Sequence, residues 1–242
     1  MDERQPGIRQ ATTANRLLRA MSAADFALLS PHLKPRRAAK HQVLFHHGGP
    51  IQSAWFLETG IGSLLTVAAD GQRVESGLFG RDGFAPVALA LGSDRTPHQG
   101  VIQVDDDCWT LAVDVLREAM ERSPTLHALL LRYAQTLYVQ TEFTALSNAV
   151  HSVEERLARW LLMCIDRTDG DELLLTHDYM SIMLAVRRPS VTTALHTLEG
   201  NGHIRVRRGR VIIRDRAGLE AFSAGGYGQP EREYERLIGP LR

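Results

Sequence analysis

Arginines crowd one short reach of this chain. Arg187, Arg188, Arg205, Arg207, Arg208, Arg210, Arg214 and Arg216 stand there against only Glu199 and Asp215. These eight cations and two anions give a local charge of +6 in a 242-residue chain whose net charge is zero. Guanidinium groups bind phosphate through forked contacts and read the major-groove edge of guanine, which an ammonium does less well. The chemistry is therefore recognition of a polyanion, and double-stranded DNA is the expected partner. Polar side chains interleave with the cations. The expected contact set is Thr176, His177, Arg187, Arg188, Ser190, Thr193, His196, Arg207, Arg208 and Arg210.

The elements that must position these residues are legible around them. Thr176 is a good N-cap with Asp178 behind it at the positive end of a helix dipole, and Met180, Met183 and Leu184 follow at helical spacing. Leu184, Ala185 and Val186 carry the turn. Pro189 opens a second helix, where its missing N–H costs little. Val191, Leu195 and Leu198 share its inner face, leaving Arg188, Ser190, Thr193 and His196 on the other. Gly200 and Gly202 stop it. Residues 204–207 and 210–214 alternate like strands around a two-residue Arg208-Gly209 turn. Helix, turn, helix and basic hairpin make a winged helix-turn-helix, which sets one helix in the major groove. A solvated amphipathic helix followed by an ordinary basic hairpin is the plainer account, but it leaves the concentration of arginine unexplained.

Upstream the texture differs. From residue 33 to 110, short apolar runs such as Val43-Leu44-Phe45, Ala54-Trp55-Phe56-Leu57 and Ser63 to Val67 are separated by glycine turns. That spacing predicts an all-β sandwich or barrel. Pro124 then starts a long helix. Leu126, Leu130, Tyr133, Leu137 and Gln140 follow the four-three spacing of a coiled-coil seam, which predicts a dimerisation helix. Ser152-Val153-Glu154-Glu155 is a capping box and marks a break. The expected class is α+β with two domains. A flexible segment spans 1–21, the β domain with flanking short helices 22–123, and the dimerisation helix 124–150. A winged helix-turn-helix spans 151–222 and a loose tail 223–242.

Order and spacing together resemble the Crp/Fnr family of bacterial transcription regulators, over residues 22–222. Gln42 to Gly49, Trp55 to Gly60, Asp70-Gly71 and Gly83-Phe84 look like that family's cyclic-nucleotide-binding roll. Val153 to Leu162 is similar to the start of its DNA-binding domain, and Val186 to Val191 to the start of its recognition helix. The resemblance implies that residues 22–123 form an antiparallel, jelly-roll-like β-roll sensor domain, and that the protein is a homodimer on a palindromic operator, with RNA polymerase as a further partner and a small-molecule effector at the roll. The departures are specific. Members that bind cyclic AMP show Gly-Glu, then Arg before a small residue. This chain has Gly83-Phe84-Ala85, and Arg95 lies between Asp94 and Thr96. Cyclic AMP is thus not expected, and Gly83, Phe84, Ala85, Arg95 and Thr96 are left as an effector pocket of unknown content. No N-terminal cysteine cluster offers an iron–sulfur site; no cofactor and no metal are expected. The family's Arg-Glu-x-x-x-Arg is here Arg188, Pro189 and Thr193, so its usual half-site is not implied.

Composition excludes other classes. A hydrophobic share of 44% with 23% charged residues is that of a globular protein, and no apolar run reaches the length of a membrane span. The first ten residues carry no signal-peptide pattern, and Cys108 and Cys164 make no disulfide framework, so a cytoplasmic location is expected. No nucleotide-cradling loop, nucleophile elbow or paired-carboxylate signature points to an enzyme. A metal-dependent cupin-like enzyme using His41, His46, His47 and His98 is the lower alternative, weakened because adjacent strand residues His46 and His47 point to opposite faces. A ligand-independent regulator with the roll as scaffold is the nearer one.

Overall fold

The computed structural model describes residues 7–241. Two short helices, α1 (Arg16–Ala20) and α2 (Ala23–Leu29), lead into seven strands. These are β1 (Lys34–Ala38), β2 (Val43–Phe45), β3 (Ser53–Phe56), β4 (Ile61–Val67), β5 (Arg73–Phe79), β6 (His98–Val104) and β7 (Asp106–Ala112). They form two antiparallel sheets, β1-β7-β3 and β2-β6-β4-β5. Between the sheets lie Phe45, Leu57, Leu64, Phe79 and Ile102, the inward residues of alternating strands. The apolar runs of the sequence become strands as expected. β1 does not follow from such a run: its residues, KPRRA, are exposed up to Ala38, as suits the charged edge of a sheet.

Helix α3 (Val113–Arg122) turns the chain into α4 (Pro124–Val150), 27 residues or roughly 40 Å long. Ser123 caps α4 through the Leu126 N–H, and Pro124 sits in its first turn. The four-three stripe is covered within the chain itself. Leu126, Leu130, Tyr133, Leu137 and Gln140 are all buried against the protein's own roll, and Gln140 Oε1 accepts from the Leu78 N–H at 2.7 Å. The expected seam is corrected accordingly: an apolar stripe of this period fits a sheet face as well as a second helix. The opposite stripe of α4 is the uncovered one, with Leu131, Gln135, Tyr138, Glu142 and Ala145 exposed.

The break falls at His151. The capping box forms in full, with Ser152 Oγ accepting from Glu155 N and Glu155 Oε2 from Ser152 N. It starts α5 (Val153–Ile165). There follow β8 (Glu172–Leu173), α6 (His177–Met183), α7 (Arg188–Gly200), β9 (Ile204–Arg207), β10 (Arg210–Ile213) and α8 (Arg216–Phe222). The strands form a small sheet, β8-β10-β9. The core of this part, Leu161, Met180, Leu195, Leu198 and Leu219 among others, runs on into Ile61, Leu65 and Leu78 of the roll.

Both ends of the chain depart from expectation. Residues 1–6 of the segment expected to be flexible lie outside the described residues. Within the rest of it, Leu17 and Leu18 of α1 are fully buried, and Asn15 donates to Leu57 O at 2.9 Å and Gly83 O at 2.8 Å. The expected loose tail instead contains α9 (Gln229–Leu237), laid against α4. Tyr234 is buried and donates to Asp82 O at 2.6 Å, Arg132 Nε donates to Leu237 O at 3.1 Å, and Leu241 is buried in the roll's core. Charge and glycine content masked an amphipathic helix whose anchors lie more than 90 residues away.

Candidate nucleic-acid interface

The two helices of the motif are set by local chemistry. Thr176 Oγ1 accepts from the Tyr179 N–H and caps α6. Ala185 turns the chain with φ of +50°, a left-handed conformation that a small side chain bears at modest cost. Pro189 then fixes the first turn of α7, and Val191, Ala194, Leu195 and Leu198 bury its inner face. Arg187, Arg188, Thr193 and His196 are left exposed, with Ser190 half-buried beside them. This is the face the sequence assigned to base edges.

Hydrogen bonding refines the roles. Thr193 Oγ1 donates to Pro189 O at 3.2 Å, so its hydroxyl is left as an acceptor, suited to a base amino group. Arg188 Nε lies 3.3 Å from Asp178 Oδ1, with both side chains mostly exposed. Such a pair is worth only about 0–1 kcal/mol, and it orients the guanidinium without sequestering it. His177 differs from the expected contact: its Nδ1 is 3.0 Å from Thr192 Oγ1, so it ties the start of α6 to α7. Thr176 is spent on its cap. Glu199 Oε1 accepts from Val206 N at 2.9 Å and fixes the hairpin relative to α7.

In the hairpin, Arg205 and Arg207 share one exposed face and Arg208 stands at the turn. Gly209 has φ of +72°, which the two-residue turn requires. Arg210 is opposite Arg207 in the sheet and pairs with Glu172. Arg216 points away from this surface. Its Nη2 is 2.9 Å from Asp166, its Nε 2.7 Å from Glu220, and its guanidinium stacks over Tyr227. The +6 of the sequence therefore overstates the field, because Glu172 and Asp166 neutralise cations from outside the counted stretch. Arg187, Arg188, Arg205, Arg207, Arg208 and Arg214 remain at the surface.

Sequence reasoning missed the neighbour of this surface. The tip of the β4–β5 hairpin, Gly71 to Arg73, faces Ser181, Val186, Arg187 and Ser190 across a cleft of about 680 Å³. Beneath it the two parts share buried polar bonds. Trp160 Nε1 donates to Glu75 Oε1 at 2.7 Å, Ser63 Oγ donates to Glu75 Oε2, and Ser63 Oγ is 3.0 Å from Tyr179 OH. Burial pushes the Glu75 carboxyl up to about 7, against the hydrogen bonds of Ser63 and Trp160. Arg167 grips Asp82 with both nitrogens at 2.7 and 3.0 Å, and Arg81 grips Asp169 at 2.7 and 3.1 Å. No local sequence pattern announces such pairings.

The expected effector pocket is not assembled. Phe84 and Ala85 are buried, and Phe56, Phe84 and Tyr133 form a row of rings with centroids 5.6–5.7 Å apart. A Cβ on Gly83 would lie 1.8 Å from the Tyr133 ring. The glycine is filled by an aromatic side chain, and the residues present do not fit a cyclic nucleotide there. Arg95 and Thr96 sit apart on a turn, where Arg95 Nη1 donates to Gly48 O at 3.0 Å and Thr96 Oγ1 accepts from His98 N at 3.2 Å. His47 Nδ1 lies 2.7 Å from Pro97 O and His98 Nδ1 3.4 Å from Thr66 Oγ1. Among the described residues, no group of three or more His, Cys, Asp or Glu is placed to hold a metal ion. Among the same residues, no helix is long and apolar enough to cross a membrane.

Residues 155–222 match the family model of the Crp-like helix-turn-helix domain. No curated protein matches the chain. Among solved structures, the chain is similar to FixK2 from Bradyrhizobium japonicum, at 16% identity over 80% of this chain and 98% of that chain, with a TM-score of 0.67. It is similar to a Crp-family transcriptional regulator from Thermus thermophilus at 18% identity over 78% and 97%, with a TM-score of 0.64. It is also similar to CLP, a c-di-GMP responsive global regulator from Xanthomonas campestris, at 17% identity over 80% and 99%, with a TM-score of 0.63. At these identities the likeness is one of fold.

Proposed function

We propose that this chain, which carries a Crp-like helix-turn-helix domain on the fold of the Crp/Fnr regulators, is a transcription regulator that binds a palindromic DNA site as a homodimer. The observation that carries this reading is the outer face of α7. Its inner face is fully committed to the core, while Arg188, Thr193 and His196 are exposed beside an arginine-bearing hairpin. Arg188 reads guanine, Ser190, Thr193 and His196 add secondary base or phosphate contacts, and Arg187, Arg207 and Arg208 hold phosphates. His177 positions α7. Arg210 acts after Glu172 yields to a phosphate.

The dimer forms along the uncovered stripe of α4. Leu131, Tyr138 and Ala145 alternate there with Gln135 and Glu142 at four-three spacing, and Tyr138 is 59% exposed. Two copies place two recognition helices on successive turns of a duplex. The ring-filled space at Gly83 favours a roll whose interior acts as scaffold, so any effector acts elsewhere on the molecule. A cytoplasmic location and contact with RNA polymerase fit this reading.

Selection of random duplex DNA by the purified protein, followed by titration of the selected site at two salt concentrations, tests the proposal. A two-fold symmetric site and salt-dependent affinity are expected. No binding at low salt overturns it.

A further inference from the structure

A second cationic surface lies away from the arginines of the wing. Arg16 and Arg19 on α1, Arg81 after β5, and Tyr234, Ile238 and Pro240 near the C-terminus border a cleft of about 500 Å³. Among the described residues, three arginines and no acid line it. The volume is that of a small-molecule site.

The charges there are not balanced from within. Arg81 is matched by Asp169 in a two-point fork, although its buried Nε has no hydrogen-bond partner. Among the described residues, Arg16 has no carboxylate within ion-pair distance. Its Nη1 donates to the main-chain oxygen of Asp166 at 3.1 Å, and Asp82, whose charge reaches it, is taken by both nitrogens of Arg167. Burial pulls the Arg16 guanidinium below its usual range, and Arg81 and Arg167 push it the same way, against the opposing charge of Asp82. Arg19 is exposed, and among the described residues its side chain has no acceptor. Among those residues Arg16 and Arg19 are therefore two guanidinium groups without an ion-pair partner, three residues apart on one face of α1. An occupant should carry two negative charges on acceptor oxygens that fit guanidinium forks, and an apolar body to lie on Ile238 and Pro240.

We propose that this cleft binds a small phosphate monoester through Arg16, Arg19 and Arg81. A phosphoryl group at neutral pH carries close to two charges on three acceptor oxygens, which a single carboxylate does not. The cleft joins α1, the loop after β5 and the chain end after α9. Arg16 and Arg81 also hold the end of α5, through Asp166 O and Asp169. A phosphoryl group competes with both acceptors, so its binding alters the tie between the roll and the helix-turn-helix part. Its role as an effector of DNA binding rests on the regulator reading; the binding itself does not.

Calorimetric titration of the full chain, without DNA, tests the site. The probes are phenyl phosphate and inorganic phosphate, each in phosphate-free buffer, with sodium chloride matching the ionic strength. Phenyl phosphate should bind saturably and more tightly than inorganic phosphate. The double variant Arg16→Gln, Arg19→Gln should weaken it at least tenfold. Arg19→Glu, at an exposed position, should weaken it in the same direction while leaving the thermal midpoint unchanged. Arg187→Gln with Arg208→Gln should leave it unaltered. Absence of saturable binding overturns the proposal. So does binding that survives the Arg16/Arg19 changes but is lost with Arg187 and Arg208, which would place the anion on the DNA surface. Equal affinity for inorganic phosphate overturns the assignment to an ester.

Discussion

Arg188 and Arg208 carry the same charge and are expected to behave differently. Arg188 opens α7 with Asp178 at 3.3 Å, an acid that opposes a phosphate approach and leaves the guanidinium to a base edge. Arg208 stands at the tip of an exposed hairpin turn, with no acid paired to it among the described residues. Arg188→Ala should cost about 1–3 kcal/mol on the selected site and relax specificity at one base pair. Arg208→Ala should weaken all sequences alike and flatten the salt dependence by roughly one counterion. Affinities measured across single-base variants of the site at three salt concentrations separate the two. An unchanged sequence preference in Arg188→Ala removes it from the reading role. At this scale the sequence named the exposed residues of the recognition helix. It could not show that His177 is engaged with Thr192, or that Glu172 and Asp166 claim Arg210 and Arg216, because each partner lies outside the local pattern.

Among the elements, α4 shows how far periodicity reaches. Its length, its Pro start and its end before the Ser152 capping box are written in adjacent residues. What covers each of its stripes is not, because a four-three stripe says only that something covers it. The roll covers Leu126, Leu130 and Tyr133, so the polar-looking stripe is the one left open. Leu131→Glu with Tyr138→Glu, at exposed positions, should leave the fold intact and give a monomer by sedimentation. Leu130→Ala should instead lower stability by about 2–5 kcal/mol in denaturant and leave the association constant alone. A dimer that persists in the first variant moves the interface off this stripe. The strands were legible because turn residues, many of them glycine, separate most of the apolar runs. β1 and α9 were not, since an exposed basic edge strand and a charged helix anchored by Tyr234 and Leu241 owe their order to distant residues.

At the scale of the whole molecule, Glu75 links the pH to the fit between the two parts. Its carboxyl is fully enclosed between Ser63 of the roll and Trp160 of α5, and burial raises it to about 7 from an ordinary 4.5. The sign follows from proton counting. Between those values the native chain holds a proton that the unfolded chain has released, so stability falls as pH rises from about 4.5 to 7. The loss is on the order of 3 kcal/mol, at 1.36 kcal/mol per unit. Glu75→Gln keeps an acceptor for Trp160 and should remove that slope, making the variant the more stable protein at pH 8. Urea unfolding of both proteins at pH 5 and pH 8 measures this, and parallel slopes would show that Glu75 keeps its charge in the native state.

The return of α9 onto α4 has a geometric consequence. A body joined to another by one flexible link keeps all three axes of rotation. The helix-turn-helix part is joined at His151 and again where the chain passes Gly228 into α9, whose Tyr234 is anchored on Asp82. Two covalent connections define a line, and once the Trp160–Glu75 and Arg167–Asp82 contacts have parted, only turning about that line leaves both in place. Any reorientation of the recognition helix that preserves them is therefore a swing through a single angle, like a page between two bindings.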